Sequence, residues 1–198
     1  MKKPGCGMIA AIVAGVAMLI VFIVALSLMG RYNKLVTLDE QVNGSWAQVE
    51  TVLQRRFDLI PNLVETVKGY AEHESDVLTE VTALRSQWAK AENVNEKAEI
   101  AGQLQSALGR LMVVVERYPD LKANQNFLAL QSQLEGTENR IAVERRRYNE
   151  AVQQYNAAIR VFPNSLVAGM TGMERRDEYF EAVEDAATAP KVDFGTGS

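Results

Sequence analysis

The chain has 198 residues, 47% of them hydrophobic, with a mean hydropathy of -0.10 and a formal charge of -4 at pH 7. One Cys and one His exclude a disulfide framework, a Cys/His zinc site and a thiol-relay pair within one chain. These averages match an ordinary soluble domain, but the apolar residues are unevenly spread.

Residues 8–29, MIAAIVAGVAMLIVFIVALSLM, are 22 positions without a charge. A helix of that length covers about 33 Å at about 1.5 Å per residue, enough to cross a bilayer. The run is longer than the roughly 7–15 apolar residues of a signal peptide, and no small-x-small cleavage site precedes Gly30, so it reads as a retained anchor. Cys6 comes before the run, unlike a lipoprotein cysteine, and reads as a free thiol at the membrane edge. Lys2 and Lys3 are balanced by Arg31 and Lys34, which leaves the side of the membrane open. Ala10 with Ala14 and Ala11 with Gly15 place small residues four apart, a spacing that lets two helices approach closely in lipid. The expected organisation is a stub and anchor over 1–30, a helical bundle over 31–187 and a frayed tail over 188–198.

Between Gly30 and Phe162 only Pro61 and Pro119 interrupt the chain, so long helices are expected and strands are not. Val42, Trp46, Val49, Leu53, Phe57, Ile60, Val64, Val67 and Ala71 step by three and four, the stripe of a helix facing a core. The stripe continues through Leu78, Val81, Leu84 and Trp88, which predicts one helix, bent or straight. Pro61 either kinks it or, with Asp58 as a cap, begins a new helix; the unbroken register favours the kink. Glu92 to Asn95 ends this element, and Ile100, Leu104, Leu108, Leu111 and Val115 mark a shorter helix stopping near Pro119. The short connection predicts antiparallel packing of the two.

A third helix is expected from Ala123 to Phe162, where Phe127, Leu134, Ile141, Tyr148, Tyr155 and Phe162 recur every seventh residue. The companion seam holds Val152 and Ile159 but also Glu138 and Arg145, so charge interrupts it. Pro163 ends the helix, a loop is expected over 164–172, and an amphipathic helix over 173–187 with Tyr179, Phe180 and Val183 inward. The expected fold is all-α, a single transmembrane helix followed by an antiparallel bundle of three to four long helices.

Several runs follow one another along these elements: RYNKLV at 31–36, RRFDLIPNLVETVKGYAEHE at 55–74, GTENRIAVERRRYNEAVQQYN at 136–156, FPNSLVAG at 162–169 and EYFE at 178–181. In this order after an N-terminal span they resemble the LemA family of bacterial membrane-anchored proteins over nearly the whole chain. The resemblance implies an antiparallel all-α bundle and carries over no catalytic residues. It picks out Arg55, Arg56, Asp58, Pro61, Asn62, Tyr70, His73 and Glu74 in the first motif as interaction candidates. In the later motifs it picks out Glu138, Asn139, Arg140, Tyr148, Asn149, Tyr155, Asn156, Phe162 and Pro163. A sensor-kinase label once attached to the family name finds no Gly-rich ATP-binding segment here.

Chemistry is sparse. His73 lies among Glu72, Glu74 and Asp76, but a bundle di-metal site needs Glu-x-x-His on two helices, and Tyr70 stands three before His73. Arg145 to Arg147 point about 100° apart on a helix and form no single patch; ion pairing is the expected role, as for Arg55 and Arg56. The acidic balance gives nucleic-acid binding no electrostatic footprint. Tyr32-Asn33, Tyr148-Asn149 and Tyr155-Asn156 put a tyrosine on an apolar stripe beside an asparagine, suited to a buried polar contact. No Ser, Thr or Cys stands beside an activating base. The expectation is a non-enzymatic, cofactor-free scaffold or homo-oligomer at the bacterial cytoplasmic membrane, contacting lipid through residues 8–29 and itself or other membrane proteins. The alternative is a membrane-tethered bundle that senses or binds a small ligand near the Tyr-Asn positions.

Overall fold

The computed structural model describes residues 6–71 and 74–180, and every regular element among them is a helix. In chain order these are α1 (Cys6–Lys68), α2 (Ser75–Trp88), α3 (Val94–Val115), α4 (Pro119–Lys122), α5 (Gln125–Arg160) and α6 (Asn164–Thr171). The apolar run is the start of α1, and residues 11–27 of it are exposed throughout. α1 contains one helix long and apolar enough to cross a membrane.

α1 passes through Pro61 without a break, and Asp58 accepts a bond from the Gln54 side chain instead of capping a new helix. The division comes later than Pro61. The stripe that predicted one helix to Trp88 is split at Gly69, where Tyr70 and Ala71 both donate to the Val67 carbonyl and the chain turns. Glycine weakens a helix by about 1 kcal/mol relative to Ala, and Ala71 is held buried beyond it. α3 begins where the sequence placed only a stop: Asn93 Oδ1 accepts from the Glu96 amide at 2.8 Å, and Glu96 Oε2 from the Glu92 amide at 3.2 Å. This is a variant of the capping box. Asn124 does the same for α5, accepting from the amides of Asn126 and Phe127.

The chain divides into two compact units, one from Met1–Ser45 with Glu150–Asp177, the other from Trp46–Asn149 with Glu178–Ser198. In the second unit, Trp46 meets Tyr148 and Arg56 meets Glu138, so α1 and α5 run antiparallel. Arg110 pairs with Glu80 and Arg117 with Glu74, so α2 and α3 run antiparallel too. Val49, Leu53, Phe57, Ile60, Leu63 and Val67 from α1 are buried with Val81, Leu104, Leu111, Phe127 and Ile141. Each such side chain contributes about 1.5–3 kcal/mol on leaving water. In the first unit Leu35, Val42, Val152, Tyr155, Ile159, Val167 and Ala168 form the buried set.

Beyond α5 the two expected elements are exchanged. The expected loop 164–172 is largely α6, and the expected helix 173–187 is irregular over 173–180, its remainder lying outside the described residues. α6 forms because Val167 and Ala168 are buried and Asn164 Nδ2 donates back to the Ala158 carbonyl. It stops at Gly172, whose φ of 69° is left-handed, with the Met173 amide closing onto the Ala168 carbonyl. The Phe162–Pro163 peptide bond is cis. The seven-residue stripe is buried from Phe127 to Tyr155 and fails at Phe162, which is 78% exposed.

Candidate functional site: an arginine–glutamate cluster and two asparagine clamps

In the second unit, polar side chains converge where the α5 seam loses its apolar residues. Arg56 of α1, 4% exposed, donates to Glu138 of α5 and to Gln105 of α3. Arg145, two turns beyond Glu138, is half-buried and lies over the Phe180 ring at 4.8 Å. Burial pushes both guanidiniums below their usual range; Glu138 opposes this in each, and Arg56 reinforces it for Arg145. One carboxylate thus offsets two guanidiniums, Arg56 through a direct bond and Arg145 through its charge, and the Nε of each is buried without a partner. Pairing Arg56 across three helices fixes their register, since a slip of any one strands a buried charge.

Beside this cluster Trp46, Tyr148 and Phe180 pack ring on ring, with centroids 5.7–5.8 Å apart. Asn149 lies next to them, and its amide both donates to the Phe180 carbonyl at 2.9 Å and accepts from the Phe180 amide at 3.0 Å. The side chain thereby bonds both backbone groups of one residue, as a neighbouring strand would. Further along α1, Trp88 stacks on Phe57 at 4.5 Å and donates to Gln54 at 3.0 Å.

The first unit has a second clamp of the same kind. Asn156, 6% exposed, donates to the Arg176 carbonyl at 2.7 Å and accepts from the Arg176 amide at 2.9 Å. Tyr155 donates its phenol to the Glu174 carbonyl at 3.0 Å. The Arg176 guanidinium reaches Asp39 at 2.9 Å and Asn43 at 3.1 Å on α1. Burial raises the Tyr155 phenol above its ordinary range, Asp39 raises it further, and Arg176 pulls it down. These bonds explain why 173–180 is not helical: the asparagines satisfy backbone groups that a helix would otherwise pair internally.

The other motif residues are placed more plainly. Arg55 and Arg140 border a groove of about 380 Å³ with Leu59, Gln133, Gly136 and Thr137. Asn62 and Asn139 are exposed, as is Pro61. Tyr70 accepts from the Asn124 amide nitrogen, and Glu74 accepts from Arg117 and from the Tyr118 phenol. His73 lies outside the described residues. Of the three Tyr-Asn pairs, only two are clamps; Tyr32 and Asn33 are exposed on α1. Gln105, Asp39, Asn43 and Arg176 belong to the polar clusters and were not singled out by the sequence. Asp39 and Asn43, four apart on one face of α1, were the available signal. Among the described residues no group of three or more His, Cys, Asp or Glu side chains could hold a metal ion.

An all-helical body joined to one exposed apolar helix defines a membrane-associated helical protein. The sequence profile of the LemA family matches residues 45–194, and the chain belongs to that family. It is 29% identical over 206 aligned positions to magnetosome protein MamQ 2 of Paramagnetospirillum magneticum, covering 91% of this chain and 75% of that protein. It is 28% identical over 180 positions to magnetosome protein MamQ of Magnetospirillum gryphiswaldense, covering 78% and 66%. Protein LemA of Metamycoplasma hominis is 25% identical over 169 positions, covering 85% and 75%.

Proposed function

We propose that this protein is a single-pass, membrane-anchored helical bundle that works through protein–protein contacts, as a scaffold or homo-oligomer at the bacterial cytoplasmic membrane. The observation that carries the reading is the use of its polar residues. The functional-looking side chains, Arg56, Glu138, Asn149, Tyr155 and Asn156, are engaged in holding helices and backbone together. Activity by position is the reading that remains. Two of the relatives are magnetosome proteins by name, and the apolar run of this chain supports a place at a membrane.

A ligand lodged at the Tyr-Asn positions fits poorly with this geometry. Tyr148 and Tyr155 are 1% and 3% exposed, and both asparagine amides are taken up by backbone. Chemical cross-linking and native mass spectrometry of the detergent-extracted full chain test the proposal. Discrete homo-oligomers or co-purifying membrane proteins are the expected result, and a strict monomer without partners would remove it.

A further inference from the structure

From Val161 to Met173 the chain has no charged residue for 13 positions, between Arg160 and Glu174. This segment is not a core. Val161 is 59% exposed, Phe162 78%, Leu166 51% and Met170 74%, a concentration of bare apolar surface that the described residues of the body show nowhere else at such density. α6 buries Val167 and Ala168 and turns Leu166 and Met170 outward beside Ser165 and Gly169, so the outward face is uncharged and carries two large apolar side chains. Large apolar side chains on both sides of a helix mark the outer one as a contact surface for another apolar phase.

The first unit places this surface along α1. Asn156 bonds the Arg176 backbone and the Arg176 guanidinium reaches Asp39 at 2.9 Å, so the Tyr155–Asn156 turn of α5 and Asp39 of α1 lie near one level. Moving from Asp39 toward the anchor, Leu35 is fully buried, and Leu28, in the last turn of the uncharged run, is half-buried while residues 11–27 are bare. Leu28 is 11 residues, about 16 Å of helix, below Asp39. Residues 150–154 form little more than one turn; among the described residues of this unit, the chain after Tyr155, with the buried Ile159 and Val167, is the part long enough to reach that level. The bare segment therefore lies beside the point where the apolar run ends. Arg31, Lys34 and Arg160, all exposed, stand at the same end of the unit.

We propose that residues 161–173 are a second membrane contact, resting on the bilayer surface next to α1 with Phe162, Leu166 and Met170 in the boundary between headgroups and acyl chains. The inference rests on reading residues 8–29 as the anchor. Apolar side chains with flanking cations are the chemistry of an interfacial segment, and the three basic residues favour anionic headgroups. The contact would hold the first unit against the lipid at a second point, so that α1 could not swivel freely about its own span.

Depth measurement by electron spin resonance on the full chain, in a Cys6→Ser background, tests this. Nitroxides are placed singly through Phe162→Cys and Met170→Cys, with Leu19→Cys as the reference in the span and Glu92→Cys as the reference in water. The protein is held in nanodiscs of phosphatidylcholine with one quarter phosphatidylglycerol. The ratio of oxygen to nickel-chelate accessibility is expected severalfold higher at 162 and 170 than at 92, approaching the value at 19. Values equal to those at 92 overturn the contact. Shielding from both reagents also overturns it, because protein and not lipid then covers the surface. A water-like signal at 19 removes the anchor reading itself, which separates the two failures. In phosphatidylcholine alone the ratio at 162 and 170 is expected to fall, and an unchanged ratio would remove the role given to Arg31, Lys34 and Arg160.

Discussion

One carboxylate, Glu138, offsets the charge of both Arg56 and Arg145, and this makes the cluster asymmetric. Replacing Arg56 by Met leaves Glu138 facing Arg145 and, at 36% side-chain exposure, water. Replacing Glu138 by Gln leaves Arg56 and Arg145 without their compensating charge. Glu138→Gln is therefore expected to lower stability by about 1–3 kcal/mol and Arg56→Met by less, read as melting temperatures from circular dichroism in detergent. The reverse order would show that the Arg56 contact with Gln105 outweighs the charge balance. Tyr155 gives a second test, this time with pH. Its phenol is raised in the folded state, so the neutral form is favoured there and the associated stability is complete below the ordinary tyrosine range near pH 10. It is lost as pH rises through the higher folded value, because the ionised phenol cannot donate to the Glu174 carbonyl. Tyr155→Phe should lose about 1 kcal/mol at neutral pH and show a smaller further loss above pH 10 than the parent. Equal alkaline losses would place the effect in other groups.

At the level of elements, the helices with long apolar stripes were legible and the chain after Pro163 was not. The 3.6-residue stripe of α1 and the seven-residue stripe of α5 depend only on which face is buried, and that information is local in the sequence. The segment 173–180 has its own amphipathic spacing, Met173 to Phe180, and local reasoning gave it to a helix. What decides its conformation is distant: Asn149 and Asn156, on another element, bond the backbone at Phe180 and Arg176. The Tyr-Asn pairs pointed to buried polar contacts, but not to backbone as the partner. The sequence places Gly172 in a loop, whereas its left-handed φ closes α6. Asn156→Ala should remove two backbone bonds and raise hydrogen exchange at residues 174–177 by at least tenfold, with exchange in α3 unchanged. If exchange there is unaltered, the clamp does not hold the segment. Gly172→Ala meets no neighbouring atom, so its cost of about 1 kcal/mol would come from the backbone angle alone.

At the scale of the whole molecule, one near-zero mean hydropathy is the sum of two parts with different solvents. Residues 11–27 are exposed along their length, and the buried sets of both units begin at Leu35 and later. The core therefore draws nothing from residues 11–27, and Leu28 after them is only half-covered. A chain lacking residues 1–27 should partition into the aqueous phase, keep its helical circular dichroism, and melt within a few degrees of the full chain, each degree being a fraction of a kcal/mol at this size. A large fall in melting temperature would mean that the apolar run supports the bundle as well as anchoring it. The same truncated chain locates self-association. If copies still cross-link after the run is removed, the contact is on the helical body. If they separate, it runs through the span, where the exposed Ala11 and Gly15 permit close approach in lipid. In that case Gly15→Leu in the full chain should reduce cross-linked dimer severalfold without altering the melting temperature, because a Cβ added there meets nothing within 4 Å and the position lies in the exposed run.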